Sequence, residues 1–381
     1  MQNLGIYVHI PFCKRKCLYC DFCSHPPAEN REIERYLNAL MLNMQDFRAA
    51  AHGYTVDTVY IGGGTPSLLK KEQLRRLLTC IFDCFSVDKN AEISMEVNPG
   101  TVDKTYLKAA KKYGVNRISF GLQSTFDDEL RALGRIHTYA SFLDSYQAAQ
   151  AVGFENINLD LMYGIPMQTA ESFVTTLSRA TELSPAHISV YGLKIEEGTP
   201  FYRMRDTLPL PDEETEYKMY LDAHTILCEA GYEHYEISNY AKAGMRSRHN
   251  LRYWKNQYYL GFGVAAHSYF GGQRYAYTKD MDAYISEMEV PRDMSSILSE
   301  CTDIDVFTKE TEYVMLGLRL FDGISFEDYR ANFGADFMQK YGAKLKTYID
   351  GGFMRADRRT CAFTQKGMYV SNYILSDILE F

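Results

Sequence analysis

Apolar residues recur along the chain in short β-branched runs, each followed by a segment with helical spacing. The six runs, in chain order, read GIYVHI, VDTVYI, AEISMEV, RISFGLQ, NINLDLMYG and HISVYGL. After the first run, apolar side chains from Ile33 to Phe47 stand three and four positions apart, which is typical of an amphipathic helix. This alternation predicts six βα units, which build either a parallel sheet curved into a partial (β/α)6 barrel or a flat doubly wound sheet.

The pattern changes character after Gly192. A helix is predicted from about Thr215 to Ala230, and a Tyr/Gly-rich stretch follows from Tyr253 to Tyr277. From about Glu310, helical segments lead into GGFMRADRRTCAFTQKG, which predicts a β-hairpin, and then into a last helix, an order that suggests a winged helix. The chain is therefore expected to have three parts: residues 1–240 form the barrel, residues 241–300 a connecting segment, and residues 301–381 a smaller winged-helix-like domain.

The composition is that of an ordinary soluble globular protein, since 46% of the 381 residues are hydrophobic and 24% are charged. The stretch MQNLGIYVHIPFC has no basic n-region and no long apolar core, and no 18-residue apolar run occurs elsewhere. Secretion and membrane spanning are therefore not expected, and the cytoplasm is the expected location. A formal net charge of -8, with ten Lys and Arg against ten Asp and Glu in residues 309–381, disfavours nucleic acid as a partner.

Four of the nine cysteines lie within CKRKCLYCDFCSH, directly after the first predicted strand. In a reducing compartment this crowding favours metal ligands or buried thiols over disulfides, and the remaining cysteines are expected to be buried thiols. A structural zinc site generally takes two ligand pairs separated by a longer stretch of chain, and the second pair is missing here. Three thiolates suit a 4Fe-4S cluster whose fourth iron stays open to another ligand. The spacing alone leaves the cluster, zinc and buried thiols as alternatives.

The stretch YVHIPFCKRKCLYCDF resembles the opening of the radical S-adenosylmethionine (SAM) proteins related to oxygen-independent coproporphyrinogen III oxidase. The resemblance covers nearly the whole chain and implies a partial (β/α)6 radical-SAM barrel. In that superfamily a CxxxCxxC loop holds a 4Fe-4S cluster, and SAM chelates the open iron. The resemblance therefore implies that Cys13, Cys17 and Cys20 are the cluster ligands, and Cys23 is expected to be a bystander thiol.

Further polar and glycine residues follow the predicted strands, where a parallel barrel brings them to one mouth. IGGGTPS follows the second strand, and glycines there let backbone atoms approach a ligand, although a tight turn explains them equally well. By the resemblance, eight residues are SAM contacts: Tyr7, Gly63, Gly64, Thr65, Glu96, Gln123, Arg135 and Asp160. The carboxylates suit ribose hydroxyls or the ammonium group, and the planar Arg135 guanidinium suits the SAM carboxylate. An ordinary buried ion pair or strand cap is the alternative for each side chain.

Two functions follow from the resemblance. One is a haem-binding chaperone of the HemW type, which delivers haem to acceptor proteins, and the other is coproporphyrinogen III dehydrogenase, which performs a radical oxidative decarboxylation. The oxidase motif continues as CxxCxC after a long N-terminal segment, whereas this chain has Phe22 in place of that cysteine and six residues before Tyr7. The stretch RHNLRYWKNQYYLGFGVAAHSY matches the HNxxYW motif of HemW-type proteins. We therefore expect the chaperone, without oxidase activity, and whether SAM is cleaved stays open.

His249, within that motif, is the leading candidate for a haem ligand, with His267 behind it, because a haem iron needs an axial donor. The alternative is that His249 satisfies backbone groups and fills a core. The resemblance also implies a haem-acceptor protein, for example a respiratory one, an electron donor for the cluster, and peripheral membrane contact without a membrane span. The expected cofactors are the 4Fe-4S cluster, SAM and haem.

Overall fold

The computed structural model describes residues 2–27, 29–289 and 294–379. The strands are β1 Gln2–Ile10, β2 Tyr54–Gly63, β3 Val87–Val97, β4 Arg117–Gln123, β5 Asn156–Tyr163, β6 His187–Gly192, β7 Glu233–Glu236, β8 Asn239–Ala241, β9 Tyr259–Phe262, β10 His267–Phe270, β11 Gln273–Tyr277, β12 Leu298–Asp303, β13 Ile324–Ser325, β14 Met354–Ala356 and β15 Thr360–Phe363. The helices are α1 Asn30–Asp46, α2 Lys71–Cys84, α3 Lys104–Lys112, α4 Asp127–Ala132, α5 Tyr139–Val152, α6 Ala170–Glu182, α7 Pro200–Met204, α8 Glu213–Glu229, α9 Arg248–Trp254, α10 Met281–Glu289, α11 Val306–Gly317, α12 Phe326–Phe333, α13 Phe337–Asp350, α14 Gln365–Tyr369 and α15 Ser371–Leu379.

The six predicted βα units are confirmed, and their strands β1 to β6 lie side by side in chain order, all parallel. Along β1, fully buried Leu4, Ile6 and Val8 alternate with Tyr7 and His9, as a period of two requires. The apolar set belongs to the main hydrophobic core, which also contains the apolar face of α1. The other face carries Tyr7 and His9, whose side chains lie on the inner side of the curved sheet.

Local signals in the sequence set the helix ends. Thr138 and Thr169 each form a capping box with the serine three residues later, at the first turns of α5 and α6. Helix α5 ends at Gly153, whose φ of +86° lies in the left-handed region that a glycine adopts without strain. These caps fix where each helix leaves its strand and returns to the sheet.

The sheet is curved into a partial barrel rather than flat. At the start of α9, the Arg248 and His249 amides donate to the Glu92 carboxylate of β3, both at 3.0 Å. The preceding amide, of Ser247, donates to the Tyr235 hydroxyl of β7 at 3.3 Å. Strands β3 and β7 stand five positions apart in the sheet, a separation of about 24 Å if the sheet were flat. Because one helix end contacts both strands, the sheet closes around it, which decides between the two predicted architectures.

Residues 241–300, expected to form a connecting segment, add α9, α10 and most of four further strands to the same twelve-stranded sheet. Strand β9 pairs parallel with β1, and β10, β11 and β12 continue antiparallel from it. The main core extends from Leu4 to Ile297. The predicted boundary at residue 240 stays a prediction, with the observation that packing is continuous across it.

The C-terminal part is a small separate unit with its own core, which runs from Val314 to Ile378. Its elements follow the order helix, strand, two helices, hairpin, and its three strands pair as β13, β15 and β14. This is the winged-helix-like order expected from the sequence, and the hairpin lies where it was predicted. Backbone hydrogen bonds from Ile237 to Arg319 and from Phe321 to Tyr235 join this unit to the barrel. Among the described helices, none is both long enough and apolar enough to cross a membrane.

Candidate functional site

The cysteine-bearing loop follows β1 and is held at both ends by the main chain. The Cys13 amide donates to the His25 carbonyl at 3.0 Å, and the His25 amide donates to the Pro11 carbonyl at 2.9 Å, so the loop closes on itself. The Leu18 amide donates to the Leu133 carbonyl, which anchors the middle of the loop beside the end of α4. Both ends of the loop therefore return to the mouth of the barrel, beyond the carboxyl end of β1.

The four cysteines of this loop have different surroundings. The Thr65 hydroxyl lies 3.6 Å from the Cys13 Sγ, and the Arg135 Nη1 lies 3.5 Å from the Cys17 Sγ. Burial raises the pKa of the Cys20 thiol. The Cys23 Sγ instead faces the Lys279 carbonyl at 3.6 Å. Cys13 and Cys17 thus lie next to groups of the barrel mouth, whereas Cys23 lies next to the segment before α10.

The arrangement of possible metal ligands bears on which group the loop can hold. Among the residues that the structure describes, no three His, Cys, Asp or Glu side chains converge as ligands of one metal ion would. A 4Fe-4S cluster does not require such convergence, because each of three cysteines binds a different iron.

Elsewhere, Cys228 and Cys301 are exposed, so the expectation that the remaining cysteines are buried is wrong for these two.

The glycine run after β2 passes between protein groups with no room for side chains. A Cβ on Gly63, whose φ is +108°, would lie 2.5 Å from the His9 ring, and a Cβ on Gly64 would lie 2.6 Å from the Phe12 carbonyl oxygen. The Gly63 amide donates to Glu96 Oε2 at 3.0 Å. Contacts within the protein therefore account for both glycines, and their contact with SAM stays a prediction.

Two carboxylates predicted to contact SAM share the interior of the barrel. Glu96 accepts from the Tyr60 hydroxyl at 2.9 Å, and removal of its carboxyl from water, with Asp160 nearby, raises its pKa to about 7. Asp160 accepts from Ser119 at 3.0 Å and from Asn158 at 2.8 Å, and burial raises its pKa too. A cation placed between these carboxylates would hold both ionised.

Tyr7 lies beside Glu96 in this interior. Its hydroxyl is 2.9 Å from His9 Nδ1, and its ring stacks on the Tyr60 ring with centroids 6.3 Å apart. Tyr7 on β1 and Glu96 on β3, both predicted SAM contacts, therefore lie on the same wall of the barrel, and both contact Tyr60.

Gln123 and Arg135 supply polar atoms that the protein leaves unpaired. Gln123 ends β4 at a φ of +69°, and its Oε1 is buried without a hydrogen-bond partner, as is the Arg135 Nε. The Arg135 Nη2 donates to the Asn98 Oδ1 at 3.0 Å and to the Gly121 carbonyl at 2.5 Å. Unpaired buried polar atoms are costly unless a ligand or water satisfies them, so these residues fit a polar ligand at the mouth.

Asn98 was missed by sequence reasoning. Its Nδ2 donates to the Thr65 Oγ1 at 2.7 Å, while its Oδ1 accepts from Arg135, so one amide links the glycine loop to the arginine beside Cys17. The available signal was its position directly after β3, where barrel residues converge on the mouth.

His249 lies at the opposite end of the barrel. It is 1% exposed, its Nδ1 is 3.0 Å from the Thr58 hydroxyl, its Nε2 is 2.8 Å from the Tyr253 hydroxyl, and its ring stacks on Tyr60. Thr58 is five residues before Gly63 along β2, roughly 16 Å at 3.3 Å per residue. A role of His249 as haem ligand stays a prediction. It requires the Thr58 or the Tyr253 hydroxyl to give up its hydrogen bond to the imidazole, because both ring nitrogens are occupied. His267 is exposed on β10.

Comparisons with known proteins show the family to which the chain belongs. A radical SAM superfamily model matches residues 7–180, and a HemN C-terminal domain model matches residues 310–370. The protein named heme chaperone HemW of Bacillus subtilis (strain 168) is 36% identical over 380 residues, which cover 98% of each chain. The chain belongs to the HemW family. HemW of Lactococcus lactis subsp. lactis (strain IL1403) is 34% identical and covers 98% of this chain and 96% of its own.

A solved structure shows the same fold as this HemW family member. Coproporphyrinogen III oxidase (HemN) from Escherichia coli superposes with a TM-score of 0.87, over 99% of this chain and 90% of that chain, at 24% identity. At that identity the likeness concerns the fold alone. Membership of the radical SAM superfamily implies a 4Fe-4S cluster and SAM, for which the cysteine loop and the barrel mouth supply suitable groups.

Proposed function

We propose that this protein is a haem chaperone that carries a 4Fe-4S cluster and SAM, binds haem and transfers it to an acceptor protein. The observation that carries the proposal is the similarity to two proteins named heme chaperone HemW, which are 36% and 34% identical to this chain over nearly its full length. Phe22 supports it, because an exposed phenylalanine occupies the position of the oxidase's additional cysteine. The acceptor, the electron donor of the cluster and the cytoplasmic location belong to the same proposal.

The cluster is proposed to take Cys13, Cys17 and Cys20 as ligands. Thr65 and Arg135 lie next to two of these sulfurs, and donors close to thiolates stabilise their charge. A bound cluster would supply one-electron reducing chemistry beside the proposed SAM site. The protein's own contribution is a loop closed at both ends, which brings Cys13 and Cys17 next to Thr65 and Arg135.

SAM is proposed to lie between the cluster loop and the barrel interior. The Arg135 guanidinium suits its carboxylate, and Glu96 and Asp160 suit its positively charged and hydroxyl groups. The unpaired Gln123 Oε1 adds an acceptor at the same mouth. Tyr7, Gly63, Gly64 and Thr65 complete the proposed set of contacts.

Coproporphyrinogen III dehydrogenase is the second candidate function, and one observation favours it: a HemN C-terminal domain model matches residues 310–370. The two candidates differ in a paired assay on anaerobically purified protein. We expect stoichiometric haem binding and transfer to an apo-acceptor, without conversion of coproporphyrinogen III in the presence of SAM and a reductant. Robust conversion together with weak haem binding would assign the protein to the oxidases.

The ligand set is tested by iron content after anaerobic reconstitution. We expect Cys13→Ala, Cys17→Ala and Cys20→Ala each to lose most of the iron and the visible absorption of the cluster. The matched control is Cys23→Ala in the same loop, which should keep the wild-type iron content. An equal loss in Cys23→Ala, or stoichiometric zinc without iron in the wild type, would contradict the proposed ligands.

A further inference from the structure

A groove of about 530 Å³ lies between the barrel and the C-terminal unit, and no residue of the cysteine loop lines it. The start of β1 and the segment after α9 form one wall, and helices α11 and α12 form the other. Its volume falls within the range of about 300–1,000 Å³ for small-molecule sites, which often occur at the boundary of two units. Neither the cluster nor the predicted SAM contacts lie in this groove.

Each wall carries a pair of aromatic rings. Tyr258 and Tyr269 come from the barrel, with ring centroids 5.1 Å apart, and Tyr313 and Phe333 come from the C-terminal unit, with centroids 5.3 Å apart. Both pairs are edge-to-face, with interplanar angles of 77° and 70°, so one ring of each pair can lie flat against a planar ligand. One such ring from each wall suffices to cover the two faces of a flat apolar ligand.

The groove is also positively charged. Its described lining contains Lys255, Lys309 and Arg252 and no carboxylate. Arg252 is paired with Asp57, whereas the exposed Lys255 and Lys309 form no ion pair with a described residue. Nearby Glu312 is held by Arg274 at 3.0 Å. The two lysines are therefore available to a ligand that carries negative groups.

We propose that haem binds in this groove, with the macrocycle between the two aromatic pairs and its propionates directed to Lys255 and Lys309. The inference rests on the proposed haem chaperone function and gives that function a place in the molecule. A flat apolar ring system with two carboxylates matches both features of the groove, the aromatic walls and the unpaired lysines.

This location also gives a use to the HNxxYW motif that does not need His249 as an iron ligand. Helix α9 ends at Trp254, and Lys255 and Tyr258, three residues apart, follow directly in the groove wall. The buried His249 anchors the start of the helix in the barrel, while the other end presents groove residues. The motif thereby positions the binding segment.

The test is a haemin titration of the full-length protein with its cluster, followed by Soret absorbance. We expect the double variant Lys255→Glu/Lys309→Glu to bind haemin at least about tenfold more weakly than the wild type, because two attractions become repulsions. The matched control is Lys104→Glu/Lys108→Glu, which reverses two exposed lysines around α3 and should stay within about twofold.

Two further arms separate the possible failures. Haemin dimethyl ester, which lacks the propionate charges, should bind the wild type and the groove variant equally, and a persistent difference would overturn the role of the lysines. Wild-type haem binding that survives the groove reversal but disappears in His249→Ala would overturn the groove and leave the chaperone function standing. Absence of haem binding by the wild type would overturn the proposed function itself.

Discussion

Single residues at the barrel mouth are fixed by contacts that leave little freedom for substitution. Gly63 combines a left-handed φ of +108° with a neighbouring imidazole where a Cβ would have to lie. Gln123 is held at a φ of +69°, which is uncommon for a residue with a side chain and indicates that the surrounding structure imposes it. Both residues were predicted as SAM contacts from the family resemblance.

Gly63→Ala is expected to lower the free energy of unfolding by more than 2 kcal/mol, roughly, because it adds both backbone strain and a clash with the His9 ring. Urea denaturation measures the loss. The control is Gly53→Ala, which has a φ of +94° but no heavy atom within 4 Å of the added Cβ, so it carries the strain alone. Equal losses in the two variants would show that the contact with His9 is unimportant.

Asn98→Ala removes the amide that joins Arg135 to Thr65. We expect SAM to bind on the order of tenfold more weakly while the iron content stays at the wild-type level, because Arg135 loses an orienting partner but the cysteines are untouched. Isothermal titration with SAM provides the measurement. The control is Asn90→Ala, which changes an exposed asparagine of β3, and equal SAM affinities for the two variants would refute the positioning role.

At the scale of elements, the six strands and their helices could be predicted because their signals are local. The β-branched runs, the three-and-four spacing of α1 and the hairpin sequence of the C-terminal unit each lie within about twenty residues. The position of α9 against the barrel could not be predicted. It depends on a hydrogen bond from the Arg248 amide at the helix start to the Glu92 carboxylate, 156 residues earlier in the chain. The surroundings of His249 depend on the same long-range packing.

Glu92→Gln is expected to destabilise the protein by about 1–2 kcal/mol, because an amide oxygen replaces a carboxylate that accepts two backbone amides at a helix start. Hydrogen exchange at α9 and urea denaturation should both report the change. The exposed Glu155, just before β5, gives the control Glu155→Gln. If both variants match the wild type, the carboxylate does not anchor α9.

At the scale of the whole molecule, the barrel and the C-terminal unit meet near Glu236. This residue is fully buried at the end of β7 and pairs with Leu320 of the C-terminal unit through an isolated bridge. Burial raises its pKa to about 7, and hydrogen bonds from Asn239 and Ser238, together with nearby Arg319, only partly offset this. The carboxyl is therefore protonated in the folded protein at pH values where it is ionised in the unfolded chain.

The sign of the pH dependence follows from this raised pKa. Between about pH 4.5 and 7 the folded state holds a proton that the unfolded state has released, so the contribution of Glu236 to stability falls as pH rises and levels off above 7. Glu236→Gln should remove this term. We expect its stability relative to the wild type to increase by on the order of 1–3 kcal/mol from pH 4.5 to 7.5.

Thermal and urea unfolding at a series of pH values measure this difference. Glu229→Gln, an exposed change at the end of α8, is the control and should follow the wild-type profile. A constant difference between Glu236→Gln and the wild type across the series would show that the carboxyl is ionised in the folded protein.

Helix α9 has a consequence for how its two ends communicate. Seven residues span about 10 Å, so one rigid element contacts the barrel interior through His249 and leads into the aromatic groove at Lys255. If SAM bound at the mouth shifts this helix, the affinity of the groove for its ligand changes with it. Thermodynamic reciprocity would then require the ligand of the groove to change the affinity for SAM by the same factor.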